Sequence, residues 1–131
     1  MKKAFFFSVL FLVAALTAFA EGIVVYQPAG GEVWPIGSTQ FIQWKFDNAG
    51  SAQAVNIMLF KDGLSVGKIA VNVLSDLSGV GSFKWQVGTL LPSNKYVLEP
   101  QKVIKAGKGY VIGVKVPNTL INGESKPFMI Q

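Results

Sequence analysis

The sequence predicts an all-β sandwich of seven or eight short strands, and three observations carry that prediction. Beyond residue 20, β-branched and aromatic residues alternate with polar ones at a period of two. Gly, Pro, Asn and Asp interrupt these runs at close spacing, as tight turns require. No stretch after residue 20 sustains the three-to-four-residue apolar spacing of a helix facing a core.

The chain opens on Lys2 and Lys3, followed by an apolar run from Ala4 to Leu16 and then Ala18-Phe19-Ala20. A positive start, an apolar middle and an A-x-A site make up a secretory signal peptide. Residues 1–20 are therefore read as the signal peptide and residues 21–131 as one domain. The expected location is secreted, extracellular or at the cell surface, or periplasmic if the source has an outer membrane. Phe5 to Ala20 is 16 residues, short of the roughly 18 a spanning helix needs, so the mature form is not expected to cross a membrane.

Gly22 to Gln27 reads as the first strand and Pro28-Ala29-Gly30-Gly31 as a turn. In Thr39 to Phe46, Ile42, Trp44 and Phe46 share one face. Ala54 to Lys61 turns Val55, Ile57 and Leu59 inward, Asp62-Gly63 is a two-residue hairpin signal, and Leu64 to Val73 returns. Gly79 and Gly81 mark another turn, after which Ser82 to Val87 points Phe83, Trp85 and Val87 inward. Tyr110 to Val116 is a further strand, Asn122-Gly123 reads as a second tight hairpin turn, and Phe128 and Ile130 face inward on the last strand. The strand count fits an immunoglobulin/fibronectin-III-like β-sandwich. Within Leu90 to Tyr96, the L-x-P-x-x-x-Y spacing predicts a tyrosine corner, in which a Tyr hydroxyl bonds back to the upstream backbone.

Composition excludes several kinds of chemistry. The chain has no Cys and no His, which removes thiol nucleophiles, histidine-based triads and the commonest transition-metal ligands. No pair of the seven acidic residues has a spacing that argues for glycoside hydrolysis, and no D-x-D run suggests calcium. Phosphate-binding loops and dinucleotide fingerprints are absent as well. No enzymatic activity and no cofactor or metal is expected. Every basic residue is Lys; with Lys2 and Lys3 removed, ten lysines face seven carboxylates, a net charge of +3. Without Arg forks to read bases, nucleic acid is not an expected partner.

The order of the blocks is similar to a known family. Ile23 to Pro28 with Gly30-Gly31 and Glu32-Val33-Trp34 resembles an opening P-x-G-G-E-x-W, and Gly37-Ser38-Thr39 with Ile42-Gln43-Trp44 resembles G-S-T-x-x-I-x-W. Val55-Asn56-Ile57-Met58-Leu59 resembles V-x-I-x-L, and Gly81 to Val87 resembles G-S-Y-x-W-x-V. Leu91-Pro92 with Tyr96-Val97-Leu98 resembles L-P-x-x-x-Y-x-I, and Ser125, Phe128 and Ile130 match a closing S-x-x-F-x-I. Together these resemble the Ig-like domain of the Ser/Thr-rich GPI-anchored membrane family of fungal cell-wall and prokaryotic secreted or surface proteins. The resemblance implies a sandwich fold and a role in cell-wall assembly or surface association, with no catalytic residues to carry over. Two departures stand out. The Ser/Thr-rich tail and anchor signal of fungal members do not follow, so a lone domain without an anchor is expected. Tyr96-Val97-Leu98 and Tyr110-Val111-Ile112 both fit the penultimate strand, with Glu99 to Lys108 between them as an insertion or extra hairpin.

The candidate interaction residues form three groups. Trp34, between a Gly-Gly turn and Pro35, offers a ring for sugar stacking if it is exposed and otherwise covers one end of the sandwich. Lys95, Lys102, Lys105 and Lys108 make a basic segment suited to an anionic polymer or, equally, a solvated hairpin. Phe41, Met58 and Phe60, with Val111 and Met129, are apolar residues on faces turned away from the core, suited to a subunit interface or strand addition unless sheet curvature covers them. The expected function is that of a secreted, non-catalytic structural or adhesive module. It would associate with the cell surface, with other surface proteins or with copies of itself. The alternative is a carbohydrate- or envelope-polymer-binding module.

Overall fold

The computed structural model describes residues 22–92 and 104–131. The expected signal peptide, Tyr96 and its expected corner, Lys95 and Lys102 lie outside the described residues.

Two sheets face each other across one core. The smaller has the order β1 (Ile23–Gln27), β3 (Thr39–Phe46), β6 (Val80–Gln86), all antiparallel. The larger runs β2 (Val33–Trp34), β9 (Phe128–Ile130), β7 (Gly107–Lys115), β4 (Val55–Lys61), β5 (Leu64–Val73), with β8 (Asn122–Glu124) pairing the far end of β7. Strands 1, 3 and 6 against 9, 7, 4 and 5 form an immunoglobulin/fibronectin-III-like β-sandwich.

The period-two pattern places the core. Ile23 and Val25 of β1, Ile42, Trp44 and Phe46 of β3, and Trp85 of β6 face Val55, Ile57 and Leu59 of β4 and Tyr110, Ile112 and Val114 of β7. Asp62-Gly63 turns β4 into β5 with φ of 52° and 80°, the left-handed pair that a two-residue hairpin matched to strand twist requires. Register shifts between β4 and β5 bend the β5 edge, a feature that discourages pairing with another chain.

Two expectations are sharpened or changed. Residues 33–34, beside the Gly-Gly turn, form an edge strand, pairing in parallel with β9 and joined to it by Met129 N–H to Glu32 O at 2.8 Å and Gln131 N–H to Trp34 O at 3.0 Å. Asn122-Gly123 is not a turn: it lies within β8, and the reversal occurs over residues 116–121, closed by Val116 N–H to Ile121 O at 3.0 Å. Gly123 is there for closeness, because a Cβ would stand 2.1 Å from the Ile23 carbonyl oxygen, so only glycine lets β8 approach β1. Tyr110 makes a bond of the tyrosine-corner kind, its hydroxyl donating to the Lys105 carbonyl, while Tyr96, for which the sequence predicted such a bond, lies outside the described residues.

Candidate functional site

The outer face of the larger sheet gathers four of the five outward apolar residues singled out in the sequence: Met58, Phe60, Val111 and Met129, each half-buried. On β4 the buried Val55, Ile57 and Leu59 alternate with half-buried Met58 and Phe60. Phe60 sits opposite Val111 of β7, and Met58 sits opposite Gly113. The Phe60 ring lies across the bare backbone of Gly113, where a Cβ would be 2.6 Å from its Cε2. That explains why Phe60 is only half exposed: glycine on the neighbouring strand lets the ring lie flat on the sheet. On β9, Phe128 and Ile130 point inward and Met129 outward, directly opposite Val33 of β2. Val33, 49% exposed, therefore extends the band across β2, β9, β7 and β4. The sequence reading missed Val33, whose signal was alternation with Trp34 in a strand only two residues long.

Polar groups of both signs surround the band. Lys68 stands opposite Met58 on β5. Lys115 and Glu124 border a cleft beside Met58, Phe60 and Gly113. Lys108 and Glu32 border a second cleft beside Val33 and Met129. Glu32 is held in place by its own turn, its carboxylate accepting from Ala29 N–H at 2.6 Å and Gly30 N–H at 2.7 Å. An apolar centre with a charged rim is the arrangement of a protein-contact patch.

Phe41 does not join this band. It lies on the opposite sheet, opposite Lys84, and is 48% exposed. Val24 and Tyr26 of β1 share that outer face, interrupted by Gln43 and Lys45, so it is more mixed in polarity.

Trp34 is corrected from candidate ligand contact to core. It is 4% exposed, with its ring centroid 4.9 Å from that of Phe128 and 6.2 Å from that of Trp85. The inward face of β2 carries it there, so no sugar can stack on it. Trp85 is anchored in turn by its indole N–H, which donates to Thr89 O at 2.9 Å. Of the basic segment, Lys105 and Lys108 are exposed, and the Lys105 backbone carbonyl accepts from the Tyr110 hydroxyl. Burial, with the Asp62 carboxylate as a second cause, raises the Tyr110 phenol above its ordinary value and keeps the donating proton in place. Among the described residues, no group of three or more Asp and Glu side chains is placed to hold a metal ion, and no helix is long and apolar enough to cross a membrane.

No protein-family model matches the chain, and no curated protein matches it. It is similar to solved structures at low identity. One is the fibronectin(III)-like modules of Clostridium thermocellum CbhA, with a TM-score of 0.39 and 8% identity over 83% of this chain and 45% of that one. Another is extracellular domains 3–5 of Drosophila OTK, with a TM-score of 0.35 and 11% identity over 78% of this chain and 32% of that one. The chain spans less than half the length of either structure.

Proposed function

We propose that this chain is a non-catalytic immunoglobulin-like module that works outside the cytoplasm as a structural or adhesive unit, associating through the outer face of its larger sheet. The observation that carries this is the band of Val33, Met129, Val111, Phe60 and Met58 across four adjacent strands. The partner is a second copy of the chain or another surface protein. A flat strand face with charges of both signs at its rim can meet its own copy about a two-fold axis, Lys against Glu. The β5 edge supports strand addition less well, since Leu91 N–H already donates to Lys68 O there at 2.8 Å. The motif resemblance to the Ig-like domain of the Ser/Thr-rich GPI-anchored family agrees with a role at the cell surface. The polymer-binding alternative retains exposed Lys105 and Lys108 but loses its aromatic platform at Trp34.

Size-exclusion chromatography with light scattering tests the reading. The protein should form dimers or larger species as concentration rises, and Phe60→Lys should return it to a monomer with unchanged circular dichroism. A monomer at every concentration, with no capture of a surface protein, would remove it.

A further inference from the structure

We propose that the end of the sandwich carrying the β5–β6 and β7–β8 loops is a lipid-contacting surface, with Leu74, Leu77 and Leu120 as its insertion tips. Their exposures are 74%, 102% and 69%, among the highest of any large apolar residue described. All three leave the same end of the molecule. Val73 closes β5 beside Val55, and Lys115 closes β7 beside Asn56, so residues 74–79 and 116–121 project in one direction. With β4 between them, the two loops stand about 10 Å apart.

Both loops are held by their own bonds. The Asp76 carboxylate accepts from Ser78 N–H at 2.9 Å, Ser78 Oγ–H at 2.6 Å and Val80 N–H at 3.0 Å. Leu77 is the residue between Asp76 and Ser78, held outward at the crest of that turn. In the other loop, Thr119 Oγ1 donates to Val116 O at 2.8 Å and accepts from Ile121 N–H at 3.1 Å, holding Leu120 outward. Leucines fixed apart on convex, braced loops cannot close around a ligand or share one pocket. A fluid apolar layer accepts them together without shape complementarity. Two lysines flank the tips. Lys45 and Lys115 stand exposed at the ends of β3 and β7, on opposite outer faces at this end of the sandwich, where long side chains can reach headgroup phosphates. Asp47 and the exposed, ionised Asp76 lie at the same end, so these four charges balance and the leucine tips carry the contact. Lys115 also borders the outer-face cleft, but the leucine tips lie on loops off that face, so variants at the tips separate the two proposals.

The test is co-sedimentation with phosphatidylcholine vesicles, with and without phosphatidylglycerol. Residues 21–131 are used, which hold both sheets and the described core, so that the apolar run of residues 4–16 cannot itself bind lipid. The protein should sediment with vesicles. Leu77→Ser should weaken partitioning about fivefold, and the triple Leu74→Ser, Leu77→Ser, Leu120→Ser variant should abolish it with an unchanged melting curve. Leu64, 74% exposed at the β4–β5 hairpin on the opposite end, provides the control, since Leu64→Ser should leave binding intact. Absence of vesicle binding would overturn the proposal. So would equal weakening by Leu64→Ser, or a triple variant that loses self-association while vesicle binding persists.

Discussion

At Tyr110 one hydroxyl ties the start of β7 to the Lys105 carbonyl of the preceding crossing. Tyr110→Phe keeps the ring and removes the tie, leaving that carbonyl unpaired. The expected loss is about 1 kcal/mol in urea unfolding. The phenol is raised in the folded state, so its contribution is complete below the ordinary tyrosine range and is lost as pH rises through the raised value. Urea melts of the wild type across the alkaline limb should show this loss, and Tyr110→Phe should lack that component. The sequence pointed to Tyr96 because the Leu-x-Pro spacing precedes it. Tyr96 lies outside the described residues, and Tyr110, which opens a clean alternation through Ile112, Val114 and Val116, makes a bond of this kind.

Between elements, closeness outweighed local preference. Asp62-Gly63 and Asn122-Gly123 carry the same hairpin signature, yet only the first is a turn. The second became strand because β8 must come against the Ile23 carbonyl, a contact that no short-range pattern encodes. Gly123→Ala should therefore destabilise the fold by about 3 kcal/mol, the upper range for forcing a methyl group into filled space. A denaturant midpoint well below that of the wild type would show it, and an unchanged midpoint would mean that β1 and β8 separate freely. The β5–β6 turn responds to acid instead. The Ser78 hydroxyl bond, followed by the backbone bond from Val80, holds the Asp76 carboxyl below its ordinary value. Its bracing is thus complete above the ordinary carboxylate range and disappears as pH falls through the lowered value. Amide exchange at Ser78 and Val80 should accelerate over that interval and not at neutral pH.

For the whole molecule, inside and outside were legible and sheet membership was not. A period of two assigns Ile42, Trp44 and Phe46 to one face wherever the strand goes, so most of the core could be read directly. Which strands adjoin depends on pairings far apart in sequence. Met58 and Phe60 came together with Val111 and Met129, whereas Phe41, equally apolar and equally outward, went to the other sheet. Trp34 illustrates the same limit: its short strand left too little alternation to reveal which side it faced.

The parallel pairing of β2 with β9 has a consequence for synthesis. Val33 meets Met129 and Trp34 meets Ile130, so a segment made early waits for one made almost a hundred residues later. Until residues 128–130 leave the ribosome, β2 has no neighbour, and Trp34 and Tyr110 lack the Phe128 ring that lies between them. The larger sheet thus stays open at β7, with part of its aromatic cluster uncovered, until the last strand is made. Pairing across so long a stretch of chain is the kind that closes late in folding.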